Sequence, residues 1–576
     1  MTTIVFDIET NGKDPSIIWC IAAKDMSLRD VTTWVGEEVK LFPKWLEENK
    51  CTTLVGHNII GYDIPVIKKL LNVDLTKYKL RDTLVISRLN NPSREGGHSL
   101  KAWGETLSFP KGDYEDWTQY SEEMLEYCKQ DVLVSEATFK VLESKGIDER
   151  AILLEQETYT ICSEQVKTGW EFDIRKAIGL MSELKQKVWE IENEVREVFI
   201  PLKDFLSLSV LKRPKLKNGE LSKAYANQLD NGAYEHPELG WGMDIYPEFN
   251  LGSRQQIGKH LQYYGWLPKE FTPTGQPIVN EKVLETIEIP QAQLIQKYLM
   301  LQKRIALLSS WIEAVTVDNR IHGYVNSCGA VTGRMTHSKP NLAQVPASYS
   351  PYGKECRELF TSKQGYNLVG VDASGLELRM LAHYMNDTAY TKEILEGDIH
   401  TANQLAAGLE TRAQAKTFIY AFLYGAGEEK IGEIAGGGAG KGRKLKNSFL
   451  KANPKLKELR DNVTKASKKG TLKGLDGRDI LIRSEHAALN ALLQSAGAIV
   501  MKQALIYLVE YADNWNLDYK IVGNIHDEIQ SEVSIKDSDK FGYLAVECIK
   551  KAGQAFNMRC PLDGEYSVGD NWSQTH

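Results

Sequence analysis

The stretch LVGVDASGLELRMLAHY, residues 368–384, constrains this chain more than any other. An apolar run, Leu368 to Val371, ends on Asp372, and a short Ala373-Ser374-Gly375 turn follows. Leu376, Met380 and Leu381 then recur at helical spacing. The pattern predicts a strand that carries a carboxylate to its end and a helix that starts at once, with Glu377 in its first turn. Such a carboxylate suits a hard cation such as Mg²⁺, which takes oxygen ligands; taken alone, it would equally cap the helix. Two later stretches bear on the choice. In TRAQAKTFIYAFLYGAG, residues 411–427, Arg412, Lys416, Tyr420 and Tyr424 recur every fourth position and form one helical stripe. The two cations suit a triphosphate and the two rings a base and sugar, although an amphipathic helix with a solvated basic edge has the same pattern. In YKIVGNIHDEIQSEV, residues 519–533, apolar residues flank His526-Asp527-Glu528 like the two strands of a hairpin. Neighbours on a strand face opposite ways, so adjacent acids share a site only if the chain turns there.

In this order the three stretches resemble family A DNA polymerases, and within them the replicative branch of bacteriophage T-seven and its podovirus kin. The resemblance implies that Asp372 and Asp527, helped by the backbone carbonyl of Ala373, hold two Mg²⁺ per active site, with Mn²⁺ as a substitute. Glu528 stands beside them as a further catalytic acid. Two such metals serve in-line phosphoryl transfer. By the same resemblance Arg412 and Lys416 take the β- and γ-phosphates of a dNTP, Lys416 also acting in catalysis, and His400 in GDIHTANQ reaches the phosphates. Tyr420 and Glu377 close around the sugar and reject ribonucleotides; Tyr at 420 implies that dideoxynucleotides are accepted. Tyr424 stacks by the template base. The stretch GAVTGRMTHSKPNLAQVP, residues 329–346, resembles the family's T-G-R…P-N-L-x-Q-x-P segment and puts Arg334 and Gln344 at the primer-template minor groove. GLDGRDILIRSEHAALNALLQSAGAIVMK resembles the template-side helix, so Arg478, His486, Asn490 and Gln494, with His526 of the hairpin, are expected at DNA. Asn490 and Gln494 both donate and accept, which suits minor-groove acceptors present at every correct pair.

Near the N-terminus the run Ile4-Val5-Phe6 enters Asp7, and Glu9 lies on the same strand face. LVGHNIIGYDIPVI then places Asp63 before a helix, and LEYCKQDVLV sets Tyr127 and Asp131 one helical turn apart. Four acids and a tyrosine in this order, with Asn58-x-x-x-Tyr62-Asp63, resemble the DnaQ-like 3′–5′ exonucleases. The resemblance implies that Asp7, Glu9, Asp63 and Asp131 bind two metals and that Tyr127 orients the attacking water.

A chain of 576 residues implies several domains. The expected fold is α+β and multidomain: a DnaQ/RNase H-like exonuclease over 1–145, a thumb over 146–345, and palm and fingers over 346–576, the fingers at about 386–478. Met181, Leu184, Val188, Ile191, Val195 and Val198 predict one long thumb helix, and residues 293–315 a second. Residues 199–250 break the pattern and read as a short insertion, where the T-seven-like branch docks host thioredoxin; it is read as a site for thioredoxin or another processivity factor, or as a plain connector. Primer-template DNA and a phage helicase-primase are the other expected partners. The net charge of −7 does not advertise a nucleic-acid binder, but residues 441–478 carry 13 Lys and Arg against 3 Asp and Glu, a track for phosphates. AGGGAGKGRK, residues 435–444, fails as a P-loop because Gly442 follows Lys441; a flexible loop is expected there. The eight cysteines include no C-x-x-C pair and read as reduced. Neither a signal peptide nor a membrane span is expected, and the reading is cytoplasmic, in a bacterial host. Two alternatives remain at this point. A single-subunit phage RNA polymerase lacks both the exonuclease and the counterpart of Glu377. A catalytically silent DNA-binding scaffold has no need of intact acids.

Overall fold

The computed structural model describes residues 2–209, 214–216 and 219–576. The chain forms two compact units, one built from residues 1–173 and 314–576, the other from Ile174–Glu313.

The larger unit opens with a mixed five-stranded sheet. Its strands are β1 (Thr2–Thr10), β2 (Ile18–Asp25), β3 (Thr32–Val35), β4 (Cys51–Gly56) and β5 (Lys79–Asp82), in the order β3-β2-β1-β4-β5. β1 is antiparallel to β2 and parallel to β4. Both faces of β1 are buried, which is why its apolar run is continuous rather than alternating. Ile4, Phe6 and Ile8 join one core cluster, beneath helix α1 (Asp63–Leu71). Val5 joins another with Met124, Cys128 and Val132 of helix α2 (Glu122–Glu143). Asp7 and Glu9 share the Val5 side of β1, so strand periodicity alone aims them at α2. Helix α3 (Glu149–Thr168), capped by Asp148, then leads out of this region.

The smaller unit contains two long helices, α4 (Ile174–Val198) and α5 (Pro290–Ala314). Ala177, Leu184, Val188, Ile191 and Val195 form the buried stripe of α4. The span expected as an insertion, 199–250, holds a three-stranded antiparallel sheet of β6 (Asp204–Ser207), β7 (Tyr234–His236) and β8 (Gly240–Ile245), in the order β6-β8-β7. Its basic residues at 210–213 and 217–218 lie outside the described residues. The unit is narrower than the segment 146–345 expected for a thumb. Residues 149–168 group with the larger unit because α3 is held on both sides by that unit's sheets.

The second sheet of the larger unit comprises β9 (Tyr366–Ala373), β10 (Tyr519–Ile525), β11 (Glu528–Ser534) and β12 (Gly564–Gly569), in the order β10-β11-β9-β12. Helix α6 (Leu376–Met385) follows β9 after a two-residue turn. Between α6 and β10 come, with two shorter helices at Thr388–Glu396 and Glu428–Ile434, α7 (Ile399–Ala407), α8 (Arg412–Leu423), α9 (Ala439–Ala452), α10 (Pro454–Ser467) and α11 (Ala488–Asn514), and α12 (Ser538–Ala555) follows β11. The helical stretch Glu485–Asn514 is long and apolar enough to cross a membrane, but most of it is buried, and its apolar residues belong to the core that covers this sheet.

The glycine run at 435–444 differs from the loop expected there: helix α9 already begins at Ala439. A Cβ at Gly442 would stand 1.8 Å from the carbonyl oxygen of Glu428, so this glycine serves helix-to-helix contact rather than flexibility. Gly442→Leu is expected to destabilise the fold by ~1–3 kcal/mol, the usual cost of overpacking, read as a lower urea midpoint at unchanged m-value.

Candidate active sites

The first site forms where β9 ends. β9 and β11 are antiparallel with Asp372 opposite Glu528, and β10 returns into β11 through a two-residue hairpin, His526-Asp527. His526 supplies the positive φ (+60°) that such a tight turn needs. The hairpin tip lies against the end of β9, since the Ala373 N–H donates to the Asp527 carbonyl at 3.3 Å. Partial burial, then Asp527 and Glu528, push the Asp372 carboxyl up to about 7. Glu528 is buried and fully engaged: it accepts from Gln530 Nε2 at 2.5 Å, Trp572 Nε1 at 2.6 Å and His576 Nδ1 at 2.7 Å. Glu528, expected as a further catalytic acid beside Asp372 and Asp527, thus carries a hydrogen-bond partner on each oxygen and is tied into the fold at the base of the hairpin. The hydrogen bond to Glu528 raises the pKa of His576. Trp572 and His576 lie in DNWSQTH, residues 570–576, and nothing in the sequence separates them from ordinary tail residues.

Helix α8 carries the stripe of cations and phenols. Thr411 and Gln414 close a capping box at its start. Arg412 Nε donates to Asp398 Oδ2 at 2.6 Å, and Asp398 caps α7, where His400 is the second residue. Asp398 thus ties Arg412 to the His400 helix, a link that sequence spacing does not disclose. Burial, then Arg412 and Lys416, lower the His400 pKa, and its Nδ1 is buried without a partner. The ring centroids of His400 and Tyr420 lie 6.5 Å apart and those of Tyr420 and Tyr424 6.4 Å apart. Glu377, in the first turn of α6, accepts from the Tyr424 hydroxyl at 3.0 Å and from Arg334 NH2 at 3.2 Å. Three of the expected residues therefore meet at one carboxylate.

Of the residues expected at DNA, Gln344 and His486 are exposed. Asn490 and Gln494 are half-buried, one turn apart at the start of the otherwise buried helix α11. His526 is exposed at the hairpin tip. Arg478 is corrected: it is 3 % exposed and holds Asp476 and Glu155, so it cannot reach solvent. The basic block does face a groove of 740 Å³, lined by Lys446, Arg460, Lys465, Lys468 and His486.

The second site lies between β1 and α2. Asp63 Oδ1 accepts from the Ile8 N–H at 3.2 Å, which folds the start of α1 back over β1. Asp7 is half-buried, and Glu9, Asp63 and Asp131 are buried. Burial raises all four carboxyls, and neighbouring carboxylates add to it for Asp7, Glu9 and Asp63: Asp7 stands well above its usual range, Glu9 at about 9, Asp63 at about 7 and Asp131, against the pull of Lys111, at about 6. Lys111 counters this charge. Its ammonium pairs with Asp131 and sits 4.5 Å from the centre of the Tyr127 ring. Its loop is pinned to α2 by Gln130 Nε2 donating to the Pro110 carbonyl at 2.9 Å. Sequence reading missed Lys111, which is one lysine in a polar stretch. The other Asp131 oxygen is buried without a partner. A hard donor set with an orphaned carboxylate oxygen fits divalent cations.

Comparison with known proteins agrees with this geometry. The family model described as DNA polymerase family A matches residues 219–574. The chain is 34 % identical to the DNA-directed DNA polymerase of Escherichia phage T7 over 100 % of both chains. It is 35 % identical to that of Enterobacteria phage T3, over 91 % of this chain and 92 % of the relative. Among solved structures, the POL domain of Pol1 from M. smegmatis, in complex with DNA primer-template and dNTP, superposes with a TM-score of 0.76 at 18 % identity, covering 100 % of this chain and 96 % of that one. The likeness to this structure speaks to the fold.

The carboxyl shifts around Glu9 carry a sign. Each folded-state pKa lies above its ordinary value, so the folded chain keeps protons that the unfolded chain has released. Stability is therefore lost as pH rises from about 4 toward about 9. In chelator, the melting temperature of the wild type should fall over this range more steeply than that of Glu9→Gln. Added Mg²⁺ should raise it more at the alkaline end than at the acid end. Thermal melts of the two proteins with and without Mg²⁺ check this.

Proposed function

The chain belongs to DNA polymerase family A and is a DNA-directed DNA polymerase, and from that premise we propose how its residues share the work, and that its first sheet bears a 3′–5′ exonuclease that edits the product. The observation that carries the assignment of the polymerase site is the seating of the Asp527 hairpin on the end of the Asp372 strand. Primer-template DNA and dNTPs are the substrates. Asp372 and Asp527, with the Ala373 carbonyl, would hold two divalent cations, Mg²⁺ or in its place Mn²⁺. When bound, these neutralise charge on the attacking 3′-oxygen and the leaving pyrophosphate. Arg412, Lys416 and His400 bind the triphosphate, and Lys416 delivers a proton to the leaving group. Tyr420 and Glu377 enclose the sugar, and the Glu377 carboxylate leaves no room for a 2′-hydroxyl. Tyr424 stacks by the template base. Arg334, Gln344, His486, Asn490, Gln494 and His526 contact primer and template, while Glu528 positions the hairpin.

For the exonuclease, support comes from four converging acids and from the orphaned oxygen of Asp131. Asp7, Glu9, Asp63 and Asp131 would hold divalent cations there, and Tyr127 orients the water that attacks the terminal phosphodiester. The small sheet within 199–250, with Tyr234 and Tyr246 exposed, is the surface assigned to a processivity partner, host thioredoxin being the case to test. A phage helicase-primase completes the proposed setting, in the cytoplasm of the bacterial host.

Primer extension on a long primed template tests these readings together. Asp527→Ala should lose synthesis and keep digestion of the primer strand, and Asp7→Ala should do the reverse; loss of both activities in either variant would refute the division. Longer products on adding thioredoxin would support the partner surface, and unchanged length would remove it. Tyr420→Phe should discriminate against dideoxynucleotides at least about 10-fold more than the wild type does, roughly the worth of one hydrogen bond, and equal discrimination would refute that role for the hydroxyl.

A further inference from the structure

A buried group of four charges lies behind the polymerase site. Glu155 of α3 is 0 % exposed, Asp476 2 %, Arg478 3 % and Lys502 of α11 2 %. Arg478 donates through NH1 to Glu155 Oε1 at 2.6 Å and through Nε and NH2 to Asp476 at 2.9 and 2.6 Å. Lys502 Nζ donates to the same Glu155 oxygen and, at 2.7 Å, to the Gly333 carbonyl. Two cations and two carboxylates balance. Such a group is a poor explanation of stability, because well-packed apolar residues of similar volume usually serve as well or better. What the group does hold is one backbone position. The Gly333 carbonyl is taken by Lys502, and a Cβ on Gly333 would stand 2.6 Å from Arg478 NH1. Its φ of +76° also disfavours a side chain. Both buried cations thus bear on Gly333, the residue before Arg334. Arg334 in turn donates to Glu377, which accepts from Tyr424. Arg334, Lys502 and His526 also border one cavity of 30 Å³.

We propose that Lys502 and Arg478, neutralised by Glu155 and Asp476, are positioning residues of the polymerase reaction. They fix the Gly333 backbone so that the Arg334 guanidinium is held at Glu377, where it reads the base pair at the primer terminus. The inference rests on the placement of Arg334 at the primer-template given above. A minor-groove acceptor lies at one place in every correct pair, so a guanidinium tests pairing only if its backbone cannot follow a displaced base.

The experiment uses the full chain and measures extension from matched and mismatched primer termini, alongside melting temperature. Lys502→Met should reduce the preference for matched termini by about 10-fold or more, the scale of one charge-assisted hydrogen bond. The double variant Glu155→Gln with Lys502→Met removes one charge of each sign and leaves Arg478 paired with Asp476. It should melt like the wild type yet keep the loss of preference, and it tests the idea even if Lys502→Met alone fails to fold. In an Arg334→Ala background, Lys502→Met should add no further loss. If the double variant regains both melting temperature and terminus preference, the four charges are structural only and the proposal falls. If Arg334→Ala itself leaves the preference unchanged, the placement of Arg334 at DNA is what fails, and the proposal falls with it.

Discussion

Holding like charges together is the constraint on which the rest of the polymerase site depends, and strand register meets it. Asp372 stands opposite Glu528 on one neighbouring strand and Glu565 on the other, with Asp527 at the adjacent hairpin tip. A slip of one residue would turn Asp372 into the core and bring Val371 to the site, since strand faces alternate. The register is defended by what lies under it: Leu368, Val369 and Val371 are fully buried, and the core packed on them includes much of α11 and α12. The charge is also thinned. Glu528 accepts from Trp572, Gln530 and His576, so this buried carboxylate is satisfied by donors that belong to the fold.

The second site meets the same constraint with other means. Its four acids come from β1, α1 and α2, and burial rather than register sets their character. An unpaired ionised carboxylate is costly in such surroundings, so the group holds either protons or cations. Lys111 supplies one positive charge from a loop and leaves the other Asp131 oxygen without a partner. The two sites therefore differ in solvent access, with Asp372 at an exposed strand end and Glu9, Asp63 and Asp131 enclosed.

Side-chain placements that follow from local periodicity are legible in the sequence. Asp7 and Glu9 share a strand face, Tyr127 and Asp131 a helix turn, and Arg412 to Tyr424 a helical stripe; in each case the spacing sets the direction of the side chain. The family resemblance then supplied chemistry that spacing alone left open between a site and a cap or a solvated edge. Residues whose role depends on distant partners were not legible. Arg478 sits in a polar, basic stretch and reads as exposed, but its partner Glu155 lies on a helix hundreds of positions earlier. Trp572 and His576 act through Glu528, and Lys111 through Asp131, pairs brought together by the fold rather than by helix or strand spacing. The glycines at 436–442 read as flexibility because sequence does not say that the backbone of another helix passes at Gly442.

Helix α3 shows why those distant partners matter. Its polar side chains bond on one side toward the first sheet and on the other toward the second. Gln156 accepts from the Asp82 N–H at 2.8 Å and donates to the Leu80 carbonyl at 3.0 Å, both on β5. Tyr159 donates to Asn58 Oδ1 at 2.6 Å, four residues before the Tyr62-Asp63 pair. On the other side Glu155 holds Arg478 and Lys502, and Gln165 accepts from Asn524 Nδ2 at 2.6 Å, on the strand that leads into the Asp527 hairpin. A single helix thus bonds to the frame of both acid clusters. Because these polar groups are buried, moving α3 against either sheet would leave donors or acceptors unpaired, at about 1–3 kcal/mol for each. That cost opposes motion of one site relative to the other.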